Sequence, residues 1–144
     1  NSKAYQKELF KINPSINTIS QSCPLFVPLV EEGLLEGPIV SAIIAHYIKN
    51  LDLSRIDTLI LGCTHYPLLK PAIKQHINNL ILIDSADSIA KAACLILKNN
   101  HLINDNTEKG QQDFYVTDSP SNFANIARRF LGYPIQNVKT APIS

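Results

Sequence analysis

Residues 56–67, with the sequence IDTLILGCTHYP, decide the fold of this chain. The first six are rich in branched apolar side chains, which predicts a buried β-strand. The strand runs into Gly62, three polar residues follow, and a helix is predicted over residues 69–77. A strand that passes through a polar loop into a helix is typical of α/β proteins.

The same alternation extends outward from this stretch. Upstream, the pattern predicts helices at 2–12 and 37–51, a short helix or turn at 25–33, and a weak strand at 16–22. Downstream, it predicts a buried strand at 80–83, further strands at 114–117 and 135–139, helices at 86–98 and 119–131, and a polar loop at 99–112. Strands that alternate with helices predict α/β layers around a largely parallel sheet.

Composition narrows the possible classes of protein. The 144 residues include 13 basic and 12 acidic side chains, for a net charge of +1, so we expect no nucleic-acid or membrane partner. No apolar run reaches the roughly 20 residues that cross a bilayer. Three cysteines, at 23, 63 and 94, form no CxxC pair, which favours a reducing cytoplasm over a disulfide framework.

Three neighbouring side chains could take part in a reaction, those of Cys63, Thr64 and His65. They follow a predicted strand, and ligands of open α/β sheets gather where strands end and helices begin. Unpaired N–H groups and the helix dipole there favour a thiolate at Cys63, and His65 could share its proton. Thr64 offers a hydroxyl and an N–H to a substrate carboxylate. The alternative is a cysteine that packs in the core, as strand-end cysteines often do. Cys63 and His65 supply only part of a zinc ligand set, so no metal site is expected.

Two segments of the chain resemble the glutamate racemases, members of the aspartate/glutamate racemase family. Residues 62–67, GCTHYP, resemble the family's second cysteine motif, and residues 23–33, CPLFVPLVEEG, resemble another family segment at the expected distance upstream. Ser2 with Ala4 and Tyr5, and residues 82–85, are similar to two weaker landmarks. The likeness runs nearly end to end.

The resemblance implies an α/β racemase-like fold of layered parallel sheets and a two-base racemisation of glutamate without metal or pyridoxal cofactor. One cysteine thiolate removes the α-proton, and a second cysteine returns a proton to the opposite face. Cys63 would be the family's second cysteine, which usually deprotonates the L-enantiomer. His65 matches the histidine that assists it, and Glu31, with Glu32 as the alternative, matches an acidic residue near the cleft. The product, D-glutamate, would serve peptidoglycan synthesis in a bacterial cytoplasm.

The resemblance covers only the C-terminal half of the family enzyme. The family's Asp-Ser-Gly motif, first catalytic cysteine and threonine-rich substrate loop do not occur in this sequence. By the family pattern, residues 1–84 form most of the second domain, and residues 85–144 return to complete the first. We therefore expect a chain that is inactive alone, exposes Phe123, Phe130 and Leu131, and binds the missing half or another copy of itself, as a homo-oligomer.

Several alternatives stay open. The substrate could be aspartate, a hydantoin or another small acid, and the chain could instead be a non-catalytic interaction module or a thiol or metal sensor. The pair Glu31 and Glu32 could be a helix end that faces water. Burial statistics predict that Cys23 and Cys94 pack in the core, while Arg128 and Arg129 are expected on a solvated helix face.

Overall fold

A computed structural model describes residues 3–106, 108 and 110–141 and contains short helices and strands in alternation. Ser2, one of the weaker family landmarks, lies outside the described residues. The elements are α1 (Ala4–Ile12), α2 (Phe26–Glu31), α3 (Pro38–Ile48), a 3-10 helix (Leu53–Arg55), β1 (Thr58–Leu61), a second 3-10 helix (Tyr66–Leu69), α4 (Lys70–His76), β2 (Ile81–Asp84), α5 (Ser85–Asn99), β3 (Phe114–Val116), α6 (Pro120–Leu131) and β4 (Val138–Thr140).

The strands form two separate parallel pairs. β1 pairs with β2, with Leu61 opposite Asp84, and β3 pairs with β4, with Phe114 opposite Val138. Parallel strands need a crossover between them, and the segment with α4 supplies it for the first pair. The α/β class and the parallel arrangement predicted from the sequence are therefore confirmed.

The hydrophobic core lies between α2, α3, α4 and the end of β1. The four largest fully buried side chains are those of Val30, Val40, Ile44 and Leu69. On α3 the buried residues Val40, Ile44 and Tyr47 recur at the helical period, so this helix turns one apolar face inward, and α4 buries Ala72 and Ile73. All the buried apolar residues of the described chain fall between Phe26 and Ile77.

A polar pair joins the carboxyl end of β2 to the start of α4. Asp84, the last residue of β2, is the N-cap of α5, and its side chain accepts a hydrogen bond from the N–H of Ala86. Lys70, the first residue of α4, forms an ion pair with the same carboxylate. This pair lowers the pKa of Asp84, with the hydrogen bond from Lys70 as the largest cause. It holds the start of α4 next to the end of β2.

The structure corrects three predictions. The weak strand at 16–22 is absent, and these residues are exposed and pair with no strand of the described chain. The strand at 80–83 is buried on one face only, because Ile81 and Ile83 are exposed while Leu82 packs against the core. Cys94 is exposed rather than buried, as α5 contains no buried residue in the described ranges.

Helices α5 and α6 have apolar side chains that the described chain leaves uncovered. Neither helix contains a buried residue. The predicted exposure of Phe123, Phe130 and Leu131 is confirmed, with 37%, 40% and 43% of each residue accessible. Ile89, Leu95 and Ile96 of α5 are more than half exposed. Among the described residues, no helix combines the length and apolar character needed to cross a membrane.

Candidate active site

The two segments that carry the family resemblance meet in the structure. Tyr66, next to the cysteine loop, donates its hydroxyl hydrogen bond to the carbonyl oxygen of Cys23 at 3.1 Å. The ring of Phe26 packs edge-to-face against the rings of Tyr66 and Tyr47, with centroids 5.2 and 5.3 Å apart. Aromatic contacts of this geometry stabilise a fixed arrangement. The start of α2 is thereby held against the loop that follows β1.

Cys63 lies in that loop, immediately after β1 and Gly62, as the sequence predicted. Cys63 is half-buried and is not one of the residues of the hydrophobic core. The Sγ atom is 3.9 Å from Nδ1 of His65, within hydrogen-bond reach for sulfur. The 3-10 turn Tyr66–Leu69 follows the loop and leads into α4, which begins at Lys70, one residue after the predicted start.

His65 connects Cys63 to a carboxylate. Its Nε2 atom is 3.5 Å from Oε1 of Glu31, the last residue of α2. The sulfur and the carboxylate therefore lie on opposite nitrogens of one imidazole ring. A histidine that contacts a thiol and is oriented by a third group is an arrangement that can move a proton to or from sulfur. Glu31, the first of the two candidate acids, is the one that the structure places beside His65.

Thr64 is exposed, and its Oγ1 atom is 3.4 Å from Nδ1 of His65. Within the described part of the chain, the backbone N–H groups of Cys63, Thr64 and His65 donate to no backbone or side-chain acceptor. Unpaired N–H groups on a loop attract anions. The loop thus has free donors next to the thiol, which suits the predicted contact with a carboxylate.

The residues of the cysteine loop are exposed at Thr64 and half-buried at Cys63 and His65. Two depressions, of about 260 and 410 Å³, lie elsewhere, and neither is lined by Cys63, Thr64 or His65. The described residues contain no group of three or more His, Cys, Asp or Glu side chains that could hold a metal ion. The candidate site therefore lies outside both depressions.

Cys23 packs against the core, as burial statistics predicted. Burial raises the pKa of the Cys23 thiol to about 11. Burial also raises the pKa of the Tyr66 phenol, with smaller contributions from the thiols of Cys23 and Cys63 and from Tyr47. Cys23 is therefore poorly suited to act as a base at neutral pH.

Cys23 should be alkylated more slowly than exposed Cys94 in the folded chain. Because thiolates react and an ordinary thiol has a pKa of about 8.5, the raised pKa lowers the reactive fraction at pH 8 by about two orders of magnitude. Timed iodoacetamide labelling with peptide mass spectrometry measures the rates, and the denatured chain is the control in which all three cysteines react alike. Because the pKa of Cys23 is higher in the folded state, its protonated thiol adds to the free energy of unfolding below the ordinary thiol pKa. This addition is lost as the pH rises towards 11. Equal labelling of Cys23 and Cys94 in the folded chain would contradict the assignment.

Sequence reasoning missed Arg129 and Phe130, which reach the site from α6. Arg129 was expected in solvent, but its guanidinium donates to the carbonyl oxygens of Val30 and Glu31. The ring of Phe130 packs edge-to-face on the ring of His65, with centroids 5.5 Å apart. Nothing local in the sequence signals contacts between residues so far apart, 99 and 98 positions for the two hydrogen bonds of Arg129.

Comparison with known proteins identifies the relatives of this chain. Glutamate racemases from Neisseria meningitidis serogroup C, Geobacter metallireducens and Aquifex aeolicus are 40%, 38% and 37% identical to it, over 96%, 95% and 99% of its length. The chain is a homologue of glutamate racemases. It spans about half the length of these curated relatives, 52%, 51% and 52% respectively. No protein-family model matches it.

Solved structures of glutamate racemases share its fold. The racemase from Francisella tularensis, determined in complex with D-glutamate, matches with a TM-score of 0.88 and 37% identity, over 98% of this chain and 53% of its own. A racemase isoform from Bacillus anthracis matches with a TM-score of 0.87 and 34% identity, over 99% of this chain and 53% of its own. The racemase-like fold expected from the two motifs is therefore confirmed.

Proposed function

We propose that this chain supplies one of the two acid/base thiols of a cofactor-independent glutamate racemase, and that Cys63 is this thiol. The observation that carries the proposal is the contact chain from Cys63 through His65 to Glu31 at the end of β1. Support for glutamate as the substrate comes from the relatives, one of which was solved with D-glutamate bound. Aspartate or another small acid is the competing substrate.

In the proposed mechanism, the Cys63 thiolate removes the α-proton of L-glutamate, and a second thiol delivers a proton to the opposite face. In the reverse direction, Cys63 acts as the acid. His65 and Glu31 orient the proton that moves to and from the Cys63 sulfur, since a base is most effective when a neighbouring group orients it. The α-carbon is a weak acid, so preorganised donors must stabilise the developing negative charge. Thr64 and the free N–H groups beside it are proposed to bind the substrate carboxylate.

The opposite thiol is proposed to come from a separate half. Cys94 lies on exposed α5, and the raised pKa of Cys23 makes it a poor base, so neither matches the missing partner. We propose that residues 1–84 are most of one α/β domain and that residues 85–144 complete another. This division is supported by the buried core, which ends at Ile77, and by the uncovered apolar side chains of α5 and α6.

The proposed partner is therefore the complementary half of the racemase, with a second copy of this chain as the alternative. Either would cover apolar side chains of α5 and α6 that now face solvent, which is energetically favourable. In the cell, the resulting D-glutamate would enter peptidoglycan synthesis in the bacterial cytoplasm.

Mixing the chain with the complementary half of a related racemase tests the proposal. We expect no conversion of L- to D-glutamate by the 144 residues alone, and conversion after mixing, because the two-base reaction needs a thiol on each face of the substrate. Circular dichroism of the amino acid measures the conversion, and parallel assays with aspartate measure substrate preference. Turnover by the chain alone would contradict the proposed division of the two thiols, and faster turnover of aspartate would contradict the proposed substrate.

A further inference from the structure

A residue of α6, Arg129, caps the C-terminal end of α2. The N–H of Gly33 donates to the carbonyl of Val30 at 3.0 Å, and the N–H of Leu34 donates to the carbonyl of Leu29 at 2.8 Å. This is the Schellman pattern, which pairs two of the last carbonyls of a helix and leaves the next one free. Here the free carbonyl belongs to Glu31. Arg129 Nη1 donates to it at 2.5 Å and to the carbonyl of Val30 at 3.3 Å.

Gly33 makes room for this contact. Its φ of +78° lies in the left-handed region, which favours glycine at the residue after a helix end. A Cβ atom at this position would lie 2.4 Å from Nη2 of Arg129. The absent side chain therefore serves two purposes, the turn itself and the approach of the guanidinium.

The next residue of α6 contacts His65. The Phe130 and His65 rings are perpendicular, with an interplanar angle of 90°. Because the ring nitrogens of His65 face Cys63 on one side and Glu31 on the other, a contact that limits ring rotation preserves both distances. Two consecutive residues of α6 thus hold the two groups that connect to Cys63.

The hydrogen bonds of Arg129 leave the carboxylate of Glu31 available to His65. A guanidinium commonly forms a paired contact with a carboxylate, but the contacts recorded for Arg129 go to backbone carbonyls. The carboxylate of Glu31 remains directed to His65. A cation at a helix C-terminus is also favoured by the helix dipole.

We infer that Arg129 and Phe130 are positioning residues that hold the Glu31–His65 pair against Cys63. The inference rests on the proposed function, because it concerns the same thiol. It assigns to the C-terminal segment a role at a site whose other residues lie before residue 84. The hydrogen bonds of Arg129 go to Val30 and Glu31, and the ring of Phe130 packs on His65, so their effect passes through Glu31 and His65.

The pH–rate profile of Cys63 alkylation in the 144-residue chain tests this inference without requiring racemase activity. The variants are Arg129→Met and Phe130→Leu, with Glu31→Gln and His65→Asn as references for loss of the pair. Arg128→Met, an exposed neighbour on the same helix, is the matched control. We expect Glu31→Gln to change the Cys63 rate by about threefold or more near neutral pH, the size of an exposed ion-pair interaction. Arg129→Met and Phe130→Leu should reproduce most of that change, while Arg128→Met leaves the profile unaltered.

The outcomes separate the inference from the proposed function. If Glu31→Gln and His65→Asn alter the profile but the two α6 variants match Arg128→Met, the inference is overturned and the proposed function stands. If none of the variants alters the profile, the pair does not act on Cys63 and both are overturned. Should Arg129→Met fail to fold by far-ultraviolet circular dichroism, Arg129→Lys keeps the charge and loses the planar fork. A wild-type profile for the folded Lys variant would also overturn the role of the guanidinium geometry.

Discussion

Replacing Cys63 with serine is expected to lower L-to-D conversion of glutamate by about 10³-fold or more in the chain mixed with its complementary half, the range typical for loss of a general acid or base. A serine hydroxyl is a far weaker acid than a thiol and forms no useful anion at neutral pH. The substitution is close in shape, and Cys63 is only half-buried, so the fold should persist.

The control for this substitution is Cys94→Ser, on the exposed face of α5. It should leave the conversion rate unchanged within the error of the assay. Circular dichroism of the amino acid gives the rate for both variants, and far-ultraviolet spectra verify their folding. A Cys63→Ser protein that keeps more than a tenth of the wild-type rate would show that another group acts as the base.

Replacing Leu69 with alanine is expected to cost about 2–5 kcal/mol of unfolding free energy, as buried leucines do when a cavity remains. Leu69 is fully buried at the end of the 3-10 helix that joins the cysteine loop to α4. Small domains are stable by only about 5–15 kcal/mol, so the loss would be a large share of the total.

Urea titration followed by circular dichroism measures this free energy. Leu95→Ala is the matched control, because Leu95 is 60% exposed on α5, and we expect a change within about 0.5 kcal/mol for such a surface site. A Leu69→Ala chain that unfolds at the same urea concentration as the control would place Leu69 outside the core.

Local patterns in the sequence predicted the elements that carry the site. The branched residues before Gly62 form β1, and Cys63 follows it in a loop, as expected. The helix predicted at 86–98 forms as α5, which Asp84 caps by accepting the N–H of Ala86. Such features depend on neighbouring residues only, which is why periodicity and capping rules find them.

Features that depend on distant parts of the chain were not predictable in this way. Burial statistics placed Cys94 in a core, but α5 meets no covering element among the described residues. Alternating residues at 16–22 suggested a strand, but a strand needs a partner, and no described strand pairs with it. Arg129 was expected in solvent, but it contacts the end of α2. The sequence does not indicate this contact, because only folding brings α6 to that position.

The most direct test of the central claim is the distance from the Cys63 sulfur to the α-carbon of bound glutamate. A crystal structure of the chain with its complementary half and D-glutamate would measure it. We expect about 3.5 Å, the separation of reacting atoms in a productive complex, with His65 between the sulfur and Glu31. Glutamate bound in a cleft that Cys63 does not reach, or a sulfur enclosed by apolar side chains in that complex, would contradict the assignment.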